Sequence, residues 1–188
     1  MGSRLNGRMI AVLATDGVEQ VELTEPVAAL REEGAQVHVV SDKDKSIQGF
    51  RHHDRGDRIP VDVSLDEAEP DQYDGLVLPG GVINPDALRL APQAIEFVRY
   101  FVDEKRPIAA ICHGPWTLID AGGANGKTMT SWPSLKTDLG NAGARWVDKE
   151  VVVDANLVTS RKPDDIPAFN AKMIDVLEHA AERHSTAK

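Results

Sequence analysis

Four short apolar runs, residues 9–14, 37–41, 75–78 and 107–111, constrain this chain more than any other feature. Each is shorter than an ordinary helix. None shows the strict alternation of a strand with one wet face. Such runs read as strands buried on both sides. Helical patterns lie between them. Residues 18–33 carry Val21, Leu23, Val27, Ala28 and Leu30 on one stripe and stop at Gly34. Further helices are expected over 92–104, 115–121, 134–142 and 163–182. Residues 42–69 are polar, with a short hairpin expected around 47–63. Strands at 151–153 and 157–159 are joined by a turn at Ala155–Asn156. Buried strands alternating with helices imply a mostly parallel sheet covered on both faces. Ligands gather outside the carboxyl ends of such a sheet.

The chain has 188 residues, enough for one domain with a single core. Residues 1–8 read as a flexible N-terminal extension to a single domain spanning 1–188. The net charge of −9 argues against a nucleic-acid partner or an anionic membrane surface. No apolar run approaches the roughly 18 residues that span a bilayer. The first residues lack the apolar centre of a signal peptide, so a cytoplasmic protein is expected. A single cysteine excludes an internal disulfide and any multi-cysteine zinc site. The histidines have no ligand-like spacing to a carboxylate cluster: His38 falls in a strand, His52 and His53 in a polar loop, His179 and His184 in the last helix. No metal and no cofactor is expected.

That one cysteine stands where a strand ends. Cys112 follows the 107–111 run in Ala110-Ile111-Cys112-His113-Gly114-Pro115. Small residues two before and two after it suit a tight strand-to-helix elbow. A thiolate is the attacking form of cysteine, and a helix beginning just beyond favours negative charge there. The His113 amide occupies the usual place of one oxyanion donor, and Gly81 in Pro79-Gly80-Gly81 is a candidate for the second. His113 is a candidate base. The alternative is a packed core cysteine, which the adjacent histidine and the elbow pattern disfavour. Trp116 and Trp132 suit either a pocket wall or the core.

Several segments together resemble the ThiJ/PfpI superfamily, in its PfpI-like branch of intracellular proteases and stress proteins. They are Gly17-Val18-Glu19-Gln20-Val21-Glu22-Leu23, Leu78-Pro79-Gly80-Gly81, Ala110 to Trp116, Asn141 to Asp148, and Thr159 to Asp165. The resemblance implies a flavodoxin-like three-layer α/β sandwich of the class I glutamine amidotransferase type. It implies Cys112 as nucleophile, His113 as its neighbour and Gly81 in the oxyanion hole. It also implies Glu19 as the acid that hydrogen-bonds the sulfur. Glu22, three residues on and on the same helix face, is the rival; Glu19 is preferred. A carboxyl beside a thiolate is tolerated best when protonated. Family sites are often completed across a dimer interface, and Asp86 matches the acid supplied in trans. A homodimer or larger homo-oligomer is therefore expected.

An exposed, low-pKa thiol with an imidazole and an oxyanion hole suits attack on a carbonyl. The substrate is a peptide or amide, or a reactive aldehyde such as methylglyoxal; protease, glyoxalase and deglycase labels all occur in the superfamily. The alternative is a redox-sensing or chaperone-like stress protein in which Cys112 is oxidised. A glutaminase domain would place a histidine near Ser160-Arg161-Lys162-Pro163-Asp164, where this chain has none.

Overall fold

A computed structural model describes residues 4–185, with side chains through residue 180. In chain order the elements are β1 (Met9–Leu13), β2 (Val18–Glu19), α1 (Gln20–Glu32), β3 (Gln36–Ser41), β4 (Ser46–Arg51), β5 (Asp54–Pro60), β6 (Val63–Ser64), β7 (Gly75–Leu78), α2 (Ile83–Arg89) and α3 (Pro92–Asp103). They continue with β8 (Ile108–Ile111), α4 (Pro115–Asp120), β9 (Thr128–Met129), α5 (Lys136–Asn141), β10 (Arg145–Trp146), β11 (Val151–Asp154), β12 (Leu157–Ser160) and α6 (Ile166–Ser185).

The four apolar runs become β1, β3, β7 and β8, the middle of a seven-stranded sheet in the order β11-β12-β8-β7-β1-β3-β6. All neighbours are parallel except β11 against β12. Successive residues of each strand point to opposite faces. Val12, Val77, Ala109 and Val158 therefore face α1 and α6, packing with Leu23, Leu30, Phe169 and Met173. Ala11, Leu76, Leu78 and Ala110 face the other helices, packing with Phe97, Phe101, Leu118 and Leu139. The expected three layers follow, and the fold is the flavodoxin-like α/β sandwich. Phe101 and Phe169 are fully buried, one on each side. Truncating either to alanine costs about 3–5 kcal/mol.

Three local departures bear on the site. Residues 18–19 form the short strand β2 rather than the start of α1, and β2 pairs in parallel with β4, Glu19 opposite Phe50. The helix α2 was not expected, because its Asn84-Pro85 hides the helical pattern. Of the N-terminal segment expected to be flexible, residues 1–3 lie outside the described residues and residues 4–7 form a turn. Leu5 is fully buried, and Arg4 pairs with Asp175 and Glu178. No helix among the described residues is long and apolar enough to cross a membrane.

The chain runs from β1 to β3 on one side and returns to β7 on the other, so the strand order reverses between β1 and β7. Adjacent strands β1, β7 and β8 end there at Gly17, at Gly80-Gly81 and at Cys112. An open α/β sheet forms its ligand crevice at such a reversal.

Candidate active site

Cys112 occupies the bend with φ +61°, in the left-handed region. A residue with a side chain pays about 1–2 kcal/mol to sit there. Surrounding bonds hold it. Its N–H donates to the Ser160 carbonyl at 3.0 Å, and its own carbonyl accepts from the Trp132 N–H at 2.9 Å. The Gly114 N–H returns to the Ile111 carbonyl at 2.9 Å, closing the turn. A Cβ on Gly114 would press on the carbonyls of Ile111 and Leu78, so the elbow admits only glycine there. Strain kept at one residue by its neighbours is a mark of a functional bend.

The thiol is nearly buried, at 8% exposure, and points into a cavity of about 480 Å³. The backbone amides of Gly81 and His113 face its sulfur and favour the thiolate. Burial acts against them and is larger, followed by the nearby Glu22 carboxylate, so the thiol is pushed up from its ordinary value. This corrects the expected exposed, low-pKa thiol. Gly81 has φ +79°, and a Cβ on it would lie 2.5 Å from the Gly17 carbonyl oxygen. Only glycine fits that backbone conformation beside the Cys112 site.

His113 Nδ1 lies 3.3 Å from the Cys112 sulfur. The ring packs edge-on to Trp116 at 5.1 Å and stacks on Trp132 at 6.0 Å. Its burial lowers the imidazole pKa, favouring the neutral form that can accept a proton. No carboxylate among the described residues hydrogen-bonds this ring. Asp86 is exposed on α2 and lies outside the cavity lining of its own chain; its electrostatic influence falls on Arg89.

The acid beside the sulfur is Glu22, where Glu19 was expected. Glu22 is fully buried in the first turn of α1, and its Oε2 accepts the Gly80 N–H at 2.9 Å. Its Oε1 is buried without a hydrogen-bond partner, and the carboxyl is coupled to the Cys112 thiol. Burial, and secondarily the Glu19 charge, raise its pKa to about 8, against a favourable bond from Gly80. Glu19 lines the same cavity, but its Oε2 accepts the His52 N–H at 3.0 Å. The reason is local. The two residues of β2 turn Glu19 toward β4, and α1 begins only at Gln20.

Sequence reasoning missed two further groups. His52 and His53, taken as loop residues, form the tip of the β4–β5 hairpin and line the cavity with Phe50 and Trp132. Two adjacent histidines at a hairpin turn were the available signal. No group of three or more His, Cys, Asp and Glu among the described residues is placed to hold a metal ion.

The chain matches the DJ-1/PfpI family over residues 8–176. It belongs to that family. Among curated relatives it is 41% identical over 169 residues to the deglycase PfpI of Pyrococcus furiosus, covering 90% of this chain and 99% of that one. It is 42% identical over 174 residues to general stress protein 18 of Bacillus subtilis, covering 92% and 99%. Among solved structures, Drosophila melanogaster DJ-1beta superposes with a TM-score of 0.82 at 31% identity, covering 93% of this chain and 96% of that one. This DJ-1/PfpI chain therefore matches its relatives along nearly their whole length.

Proposed function

We propose that this DJ-1/PfpI protein is a stress-response cysteine enzyme whose Cys112 attacks the carbonyl of a small reactive aldehyde or of its adduct with an amine, in glyoxalase or deglycase chemistry. One observation carries the reading. The Cys112 sulfur is favoured as thiolate by two backbone amides, lies 3.3 Å from an imidazole that burial keeps neutral, and lines a cavity of about 480 Å³. A carbonyl carbon at that sulfur would set its oxygen where the amides of Gly81 and His113 converge, and they would stabilise the alkoxide that forms. The thiol proton passes to His113 or to the oxygen as the S–C bond forms. A relative named deglycase and another named stress protein support the same reading. The cavity suits small molecules better than a folded peptide chain, which favours aldehyde over protease chemistry.

No acid among the described residues bonds His113, and Asp86 stands exposed on α2 beside Val82 and Ile83, both more than half exposed and lining the cavity. A second copy packed on this face would cover those side chains and bring its Asp86 toward His113.

The test is a panel of methylglyoxal, fluorogenic peptides and coumarin amides on wild type and Cys112→Ala. Lactate from methylglyoxal, abolished in Cys112→Ala, is the expected result. No turnover of any substrate, with fast selective oxidation of Cys112 by peroxide, would replace this reading with the redox sensor.

A further inference from the structure

The β4–β5 hairpin, whose tip lines the Cys112 cavity, is held by more bonds than a surface loop needs. His52 has φ +57°, left-handed for a residue with a side chain, and Glu19 Oε2 fixes its N–H at 3.0 Å. One residue on, Gln20 grips the returning strand. Its Oε1 accepts the Asp57 N–H at 2.7 Å, and its Nε2 donates to Asp57 Oδ2 at 2.7 Å. Gln48 Nε2 donates across the hairpin to the Gly56 carbonyl at 2.8 Å. The hairpin is thus bolted to the start of α1, two residues from the Glu22 that faces the sulfur.

Its tip bears His52 and His53, both exposed and both lining the cavity, and neither imidazole has a hydrogen-bond partner among the described residues. The other polar side chains of the lining are mostly engaged: Glu22 by the Gly80 amide, Glu19 by the His52 amide. The cavity therefore presents two separate sets of donors. One is the amide pair at the sulfur. The other is the imidazole pair at the hairpin tip, with the exposed Trp132 indole nearby. A substrate with one oxygen uses only the first set. A substrate with two oxygens on neighbouring carbons can use both.

We propose that His52 and His53 are the specificity-determining groups of the Cys112 site, hydrogen-bonding the second oxygen of a 1,2-dicarbonyl substrate, and that Glu19 is the positioning residue that holds them. The inference rests on the aldehyde chemistry proposed above. In that chemistry the thiol adds across the aldehyde C=O, forming an S–C bond and giving its proton to the oxygen. The C1 proton then leaves and the C2 oxygen gains one, giving an enediol that gains a proton at C2 as its C1 hydroxyl loses one. The product is the thioester of a 2-hydroxy acid, which water cleaves, returning the thiol. The aldehyde carbon is oxidised and the ketone carbon reduced, so no outside oxidant enters. Charge gathers on the C2 oxygen along this path, and an imidazole N–H there is a suitable donor.

The experiment compares two compounds that differ at C2. Methylglyoxal carries the second oxygen and is followed as kcat/KM for lactate. Propanal lacks it, still forms a hemithioacetal, and is followed as a competitive inhibitor. In His52→Ala/His53→Ala, kcat/KM for methylglyoxal is expected to fall about tenfold or more while the propanal inhibition constant holds. Glu19→Ala is expected to reproduce the loss, to add nothing to the double histidine variant, and to be rescued by Glu19→Gln, whose amide oxygen can still accept the His52 N–H. Unchanged alkylation of Cys112 by iodoacetamide in every variant reports that the elbow is intact. Equal effects on methylglyoxal and propanal, or none on either, overturn the histidine assignment while leaving the aldehyde reading standing. Failure of wild type to convert methylglyoxal overturns both.

Discussion

Glu22 and Cys112 share one buried site at the carboxyl edge of the sheet, and burial raises the pKa of each. The pair is neutral only when each group holds its own proton, and burial favours that state. With Glu22 raised to about 8, that acid holds a proton at neutral pH, and it can donate to the sulfur as the thiolate develops.

A pH dependence of stability follows from that pair. The Glu22 pKa is higher in the folded chain than the ordinary 4.5 of the unfolded one. The native state therefore holds more protons between those values, and stability falls as pH rises from about 4.5 to about 8. The contribution is fully present below the lower value. Its size is of order a few kcal/mol. Urea unfolding at pH 5, 7 and 8.5 should show the decline in wild type and a flatter profile in Glu22→Gln. Parallel profiles in the two proteins would remove the buried acid from the account.

The bend at Cys112 makes a separate prediction, independent of any substrate. At φ +61° the residue carries strain that glycine would not. Cys112→Gly should be more stable than Cys112→Ala by about 1 kcal/mol, or about 2–4 °C in Tm for a domain of this size. Calorimetry on the two variants decides it. Equal Tm values would mean the elbow is not strained.

The origin of that strain was legible early, and the identity of the acid was not. Each of the four apolar runs became the expected strand because burial on both faces leaves little choice of residue. Cys112 could be placed at the end of one from Ala110 and Gly114 alone. Glu19 and Glu22 could not be separated, because the answer depends on pairing with residues thirty positions away. The contact of Glu19 with Phe50 across β2 and β4 delays α1 to Gln20 and turns Glu19 away from the sulfur. The same long-range pairing carries His52 and His53 to the cavity, so a local reading found the hairpin around residues 47–63 but not where its tip lies. The helix bearing Asp86 was hidden by its Asn84-Pro85, although Asn84 is fully buried and tied to the Thr15 N–H and the Pro79 and Gly80 carbonyls.

The Gly81 amide is predicted to matter more than any side chain of its loop. A Cβ there would lie 2.5 Å from the Gly17 carbonyl oxygen and 2.7 Å from the Glu19 nitrogen, so the loop must move. Gly81→Ala should lower kcat by about a hundredfold or more as one oxyanion donor leaves the sulfur. Single-turnover assays would show it, with circular dichroism confirming the fold. Full activity in Gly81→Ala would take that amide out of the oxyanion hole.

Asp86 gives the last prediction, which separates action in trans from action within one chain. His113 contacts two tryptophan rings, no acid among the described residues bonds it, and Asp86 is exposed outside the cavity lining. If a partner's Asp86 orients His113, Cys112→Ala and Asp86→Ala are each inactive or strongly impaired alone. A mixed dimer joins the intact Cys112 of one chain to the intact Asp86 of the other, making one working site. Equal mixing with subunit exchange should then restore about a quarter of wild-type turnover, because half the dimers are mixed and each has one competent site of two. Dilution into monomers should remove the restored activity without unfolding the chain. Wild-type rates in Asp86→Ala, or no recovery on mixing, would leave His113 to act without a partner's acid.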